Sequence, residues 1–335
     1  MSPADDPFRP APGLRSGFVQ SMLATKRPAP WLWRRRGLDL RLRSTYHLLD
    51  TADEHGRAVT LTGWFTPHPQ PRGLVVLIHG WEGCHDSNYL YSMACALHGA
   101  GYAVFRLNLR DHGGTHHLNE DLFHSARMQE VLGAFGPIQA LAPGLPLAVV
   151  GFSLGGNFTL RVGLYGPAAG VRPRLCVAIS PVMNPRHTMN AIDAGNAIIH
   201  RYFLAKWRQT MDAKVAGWPG RFDFTRQKKL DNFIEITRAF VEDFTEYDTL
   251  DDYLARYTLS PAQLLASPTP LAVITAADDS VIPLTDFTGL AARGSVLGFE
   301  APAHGGHCGF IENWRLHSWA ERRVLAYLEP ALGRG

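Results

Sequence analysis

The apolar run Pro146-Leu147-Ala148-Val149-Val150 leads straight into Gly151-Phe152-Ser153-Leu154-Gly155-Gly156-Asn157, and a helix-like stretch continues to Tyr165. A short, Val-rich run of this kind predicts a fully buried parallel strand. Strand, G-x-S-x-G, helix is the context in which a serine is lifted onto a sharp turn with its oxygen clear of the sheet. Glycines are needed there because the strand and helix backbones pass very close on either side of the serine. The following helix aims its first N–H groups and its positive dipole end at the same place. In a chain with 32 glycines the bare pattern is weak evidence. Its flanks make Ser153 a candidate nucleophile, which then needs partners.

The rest of the chain supplies a rhythm around that stretch. Leu74 to Ile78, Tyr102 to Leu107, Leu147 to Phe152 and Leu175 to Ile179 read as buried strands. Helices are expected near Tyr89–His98, over Asp121–Leu141 (weakened by Gly133, Gly136 and Pro137) and after Ser153. This alternation predicts an α/β fold, a mostly parallel sheet with helices on both faces. Ahead of it, Leu38 to Arg43 alternates strictly and reads as a half-buried strand. It is expected to pair with Ala58–Phe65 through a turn at Asp53-Glu54-His55-Gly56.

The rhythm stops after Pro181, returns at Leu271–Thr275 and Ser295–Phe299, and ends in a helix expected over Ile311–Leu328. The stretch between is helical, charged and aromatic. The organisation read from this is an arm at 1–36, a core formed by 37–181 and 268–335, and a helical cap inserted at 182–267. Within the cap Tyr202, Phe203, Trp207, Trp218, Phe222, Phe224 and Phe240 are candidates to line an acyl channel, or to form the cap's own small core.

A serine hydroxyl attacks well when a base takes its proton and an acid orients that base. In an open α/β sheet those groups belong in loops at the carboxyl ends of strands. The run Leu271–Thr275 leads into Ala276-Ala277-Asp278-Asp279-Ser280, and Asp279 is the better placed of the two carboxylates. After the last expected strand, His307 sits in the Gly-flanked loop Ala303 to Phe310. For the oxyanion, Leu154 N–H, next to the nucleophile, is one expected donor. Trp81 N–H, in the loop His79-Gly80-Trp81-Glu82-Gly83, is the other. His79 reads as a residue that holds this loop.

These motifs resemble the YheT-like branch of the α/β-hydrolase superfamily. The residues that carry the likeness are His79-Gly80, the Asn108-to-Gly114 loop, Gly151 to Asn157, Asp278-Asp279 and Gly306-His307-Cys308-Gly309-Phe310. Phe8-Arg9-Pro10, Gln20-Ser21 and Asp251-Asp252-Tyr253 extend it over nearly the whole chain. The resemblance implies a serine hydrolase acting on carboxylic esters, with Ser153, Asp279 and His307 as the matching triad in the Ser…Asp…His order of that fold. The chain departs from the branch at Trp81, where a smaller aliphatic residue is common, and at Thr258-Leu259. The first departure bears on acyl-pocket size.

Other chemistry is disfavoured. A net charge of +3 from 33 basic and 30 acidic residues is too balanced for a nucleic-acid partner. The four cysteines have no C-x-x-C spacing and read as free thiols. His112, His116 and His117 lack a completing ligand set, so no metal is expected, and no cofactor. The acidic, Pro-rich start does not read as a secretory signal, and a cytoplasmic location is expected. Trp31-Leu32-Trp33 beside Arg34-Arg35-Arg36 has the composition of a peripheral membrane contact, although packing of those aromatics on the core is the favoured expectation. A small-molecule acyl ester, with lipid as one option, is the expected partner. A binding protein without turnover is the rival from another class, and a thioesterase or peptidase the rival among enzymes.

Overall fold

The computed structural model describes residues 7–26 and 40–333. Eight strands form one sheet in the order β1-β2-β4-β3-β5-β6-β7-β8. They are β1 Thr45–Ala52, β2 Ala58–Thr66, β3 Leu74–Ile78, β4 Ala103–Asn108, β5 Leu147–Phe152, β6 Leu175–Ile179, β7 Leu271–Ile274 and β8 Val296–Glu300. Pairings β1–β2 and β2–β4 are antiparallel, and all the others are parallel. Every residue of β3, β4, β5, β6 and β7 is buried, whereas the edge strand β1 buries little besides Leu49. Helices covering both faces impose that pattern on central parallel strands.

The strand period of two sorts the core into two layers. Leu74, Val76 and Ile78 of β3 pack on one face, with Leu147 and Val149 of β5 and residues of helices Gln129–Ala140 and Leu154–Tyr165. Val75 and Leu77, with Ala148, Val150 and Phe152, pack on the other, against helices Asn88–Gly99 and Trp319–Leu332. Between β6 and β7, residues 182–267 hold six helices and no strand. Their starts are chemically marked. Asn184, Asn196, Asn232 and Thr249 each accept a first-turn N–H, and Ser260 with Gln263 forms a capping box ahead of Pro261.

Three expectations differ from this structure. Leu40–Arg43 is a 3₁₀ turn rather than a strand, and β1 begins at Thr45; Leu38 and Asp39 lie outside the described residues. The alternation there is chemical without being one-sided, since Leu40 is buried while Leu42 is 87% exposed. The expected turn is present, with Asp53 Oδ1 accepting from the amides of His55 and Arg57, both at 2.9 Å. Of Asp121–Leu141, Gln129–Ala140 is helical. The preceding residues give their amides to distant side chains instead: Phe123 to Asp111 at 2.8 Å, Ser125 to Tyr253 at 3.0 Å and Met128 to Glu54 at 2.6 Å. The last helix starts at Trp319, eight residues later than expected, because Asn313 Oδ1 takes the Arg315 amide and Ile311 bridges to Ser318.

Candidate active site

Ser153 stands between β5 and the helix Leu154–Tyr165 at φ 53° and ψ −120°. A non-glycine residue is held there at a conformational cost, so its surroundings must fix it. Its amide donates to Ile179 O at 2.9 Å, and its carbonyl accepts from Asn157 N at 3.1 Å. The turn closes because the residues two before and two after Ser153 are glycines. A Cβ on Gly151 would stand 2.2 Å from Gly155 O, and one on Gly155 would stand 2.3 Å from the carbonyl oxygens of Ile78 and His79.

The three residues expected to act together meet. His307 Nε2 is 2.9 Å from Ser153 Oγ, and His307 Nδ1 is 2.9 Å from Asp279 Oδ2 and 3.2 Å from Oδ1. Asp279 follows β7, and its Oδ1 also accepts the amides of Val281 at 2.8 Å and Ile282 at 3.0 Å. Those bonds aim the carboxylate, whose side chain is fully buried. Burial pushes the His307 proton affinity down, but the Asp279 carboxylate and, after it, the neighbouring Cys308 sulfur together outweigh burial and hold the imidazole well above its ordinary value of 6.5. Asp278 faces elsewhere, with Oδ1 accepting from Gly306 N at 2.8 Å.

Trp81 and Leu154 both line the cavity that Ser153 and His307 border. Leu154 N–H is the first of its helix and has no acceptor within it. The Trp81 loop is braced from several directions. Gly80 N donates to Tyr89 Oη at 2.9 Å, and Glu82 N to His112 Nε2 at 3.2 Å. His79 links the loop to the next one, with Nε2 accepting Leu109 N at 3.1 Å and Nδ1 meeting Gly80 O at 2.8 Å. Burial lowers the proton affinity of His79 far below the usual range and that of His112 to about 4, so both stay neutral and both bind backbone. His112 is thus a strut of the loop.

A cavity of about 900 Å³ opens over Ser153 and His307. The Trp81 indole forms one wall, stacked on Phe203 and edge-on to Trp207 and Phe233, with ring centroids 5.2–5.9 Å away. Of the seven candidate aromatics, Tyr202, Phe203, Trp207, Phe224 and Phe240 border it. Trp218 instead donates to His116 O at 2.9 Å, and Phe222 stacks on Phe224 at 5.8 Å. Glu82 is a wall residue that the sequence did not single out. It sits at φ 56° and accepts from Thr210 at 2.5 Å, and burial pushes its carboxyl up to about 7. A charge between two loop glycines gave no sign of this, because the partner lies 128 residues away.

Trp31–Arg36, the stretch with membrane-contact composition, lies outside the described residues. Nearer the start of the chain, Phe8 packs on Phe310 and Trp319 at 6.0 and 5.5 Å, and Gln20, Ser21 and Ala24 are buried. No described helix is long and apolar enough to cross a membrane.

Known proteins share this architecture. YheT of Escherichia coli (strain K12), provisionally named an esterase, is 24% identical over 97% of this chain and 94% of its own length. The esterase Pf2001 of Pyrococcus furiosus superposes with a TM-score of 0.55 at 15% identity, covering 88% of this chain and 95% of its own. A bacterial membrane phospholipase A gives 0.54 at 16%, covering 95% and 96%. At such identities the two structures share the fold. The model of the alpha/beta hydrolase family matches residues 75–316, and the chain belongs to that family.

Proposed function

We propose that the protein is a serine hydrolase of carboxylic esters, with residues 182–267 forming a cap over the site. What supports this reading is the His307 imidazole, which spans Ser153 Oγ and Asp279 with 2.9 Å on each side. Ser153 Oγ attacks the ester carbonyl carbon while His307 Nε2 takes its proton. Charge gathers on the carbonyl oxygen, and the N–H groups of Trp81 and Leu154 hold it. Asp279 keeps the proton of the neutral imidazole on Nδ1 and then stabilises the imidazolium. The tetrahedral adduct collapses, the alcohol leaves with the proton from Nε2, and the acyl group remains on Ser153. Water repeats the sequence with His307 as base and frees the acid and the serine.

The 900 Å³ aromatic cavity suits an apolar acyl group. YheT carries an esterase name over nearly its whole length, which supports an ester rather than an amide. The test is the initial rate on p-nitrophenyl esters from acetate to palmitate, wild type beside Ser153→Ala. Turnover that vanishes in the variant is the expected result, and the preferred chain length then sizes the pocket. Turnover that survives in Ser153→Ala removes the reading. A wild type that neither turns over nor takes up a fluorophosphonate is a binding protein instead.

A further inference from the structure

His307 sits in a loop whose own backbone bonds, Gly309 N and Phe310 N to Gly305 O at 3.2 Å, leave the amides of Gly306, His307 and Cys308 to be held from outside. Gly305, Gly306, Cys308 and Phe310 have φ values of 143°, 54°, 62° and 52°, two of them on residues with side chains. Such backbone persists where its surroundings over-determine it. Two anchors are local to the sheet's loops: Gly306 N donates to Asp278 at 2.8 Å and Cys308 N to Ser180 Oγ at 3.2 Å. The others come from the far end of the chain. His307 N donates to Ser21 Oγ at 2.8 Å, and Ile311 N donates to Gln20 Oε1 at 2.7 Å.

Both side chains are fixed in turn. The Ser21 hydroxyl donates to Gly17 O at 2.8 Å, which leaves its lone pair for the His307 amide. Gln20 is fully buried, and its Nε2 donates to Ile311 O at 2.9 Å and Leu14 O at 2.6 Å, so both polar ends of the amide are used. The helix Gly17–Lys26 also seats without spare room. A Cβ on Gly306 would lie 2.1 Å from Gly17 O, and one on Gly17 would lie 2.5 Å from Asp278 O. The helix therefore presses on the loops that carry both Asp279 and His307.

We propose that this helix is part of the reacting apparatus, with Ser21 and Gln20 as positioning residues that set the His307 loop. The inference rests on the serine-hydrolase reading above. Neither residue touches the imidazole; each acts on the backbone that carries it. Loss of the Ser21 acceptor frees the His307 amide and lets the ring drift from Ser153 Oγ, and a misplacement of about 1 Å is enough to slow such chemistry greatly.

The test is kcat and KM on p-nitrophenyl butyrate for wild type, Ser153→Ala, Ser21→Ala and Ser21→Thr, with Tm recorded for each. Ser21→Ala should lose about tenfold or more in kcat at unchanged KM and nearly unchanged Tm. Ser21→Thr keeps the hydroxyl and should retain most of the wild-type kcat. Should Ser21→Ala not fold, Ser21→Cys, close in size and a weak acceptor, should show the same loss in kcat. A wild-type kcat in the folded variant that lacks the hydroxyl overturns the proposal, as does an equal loss in Ser21→Thr. Ser153→Ala separates the two readings. If it is dead while Ser21→Ala is unimpaired, the nucleophile stands and the positioning role falls; if it is active, the reading beneath both falls.

Discussion

His307 Nε2 and Ser153 Oγ, 154 residues apart in the chain, stand 2.9 Å from each other. Two loops at the carboxyl ends of β5 and β8 bring them together, and Asp279 beyond β7 fixes the orientation of the ring.

Asp279→Asn should keep the fold and lose about 10⁴-fold in kcat. The asparagine carbonyl can still accept the amides of Val281 and Ile282, which now bond to Oδ1. Its amide group would face His307 Nδ1 and favour the tautomer with the proton on Nε2, which cannot accept from Ser153. Steady-state kinetics beside a thermal melt checks this, and a loss below tenfold would count against the role given to Asp279.

The pH profile should carry the same signature. His307 serves as a base when neutral, and the Asp279 carboxylate with the Cys308 sulfur, working against burial, raises its proton affinity well above 6.5. A raised pKa moves the acid limb of kcat/KM upward, so activity should still be rising with pH above 6.5. A limb centred at or below 6.5 would contradict the arrangement.

Glu82 supplies a stability test. Burial raises its carboxyl from 4.5 to about 7, so between those values the folded chain binds a proton that the unfolded chain has released. Stability is therefore lost as pH rises through this window. Glu82→Gln removes that titration and keeps an acceptor for Thr210. Its Tm relative to wild type should rise across the window and level off above pH 7, as read by calorimetry. A flat difference would mean that Glu82 is solvated.

Gly155→Ala should be severe for a residue that adds one methyl group. The new Cβ would meet the Ile78 and His79 carbonyl oxygens at 2.3 Å, and backbone at that distance must move. A cost of about 3 kcal/mol is expected from such overpacking, together with loss of turnover. A chemical denaturation curve measures the first, and a wild-type midpoint would show that the turn can relax.

Much of this was legible before any fold was known. Buried parallel strands write continuous apolar runs, so β3 to β7 appear in the sequence within a residue or two, as do the elbow glycines and the Ser, Asp, His order. Between β6 and β7 the composition announced helices without their starts, which the structure places at the Asn, Thr and Ser caps. The misses are segments governed from a distance. Residues 121–128 have a helical composition, yet their amides go to Asp111, Tyr253 and Glu54. Leu40–Arg43 alternates like a strand, but Arg41 pairs with Asp86 at 2.6 Å while Leu42 points into solvent.

Local chemistry, then, determined the strand rhythm, the elbow and the three residues that converge on it, since periodicity, turn geometry and chain order are properties of neighbours. Tertiary structure alone decided what surrounds them: the aromatic wall on Trp81, the buried carboxyl of Glu82, and the seat of Gln20 and Ser21 against the His307 loop. Each of those is a contact between segments tens to hundreds of residues apart. Its energy arises from desolvation and close packing, which no window of sequence contains.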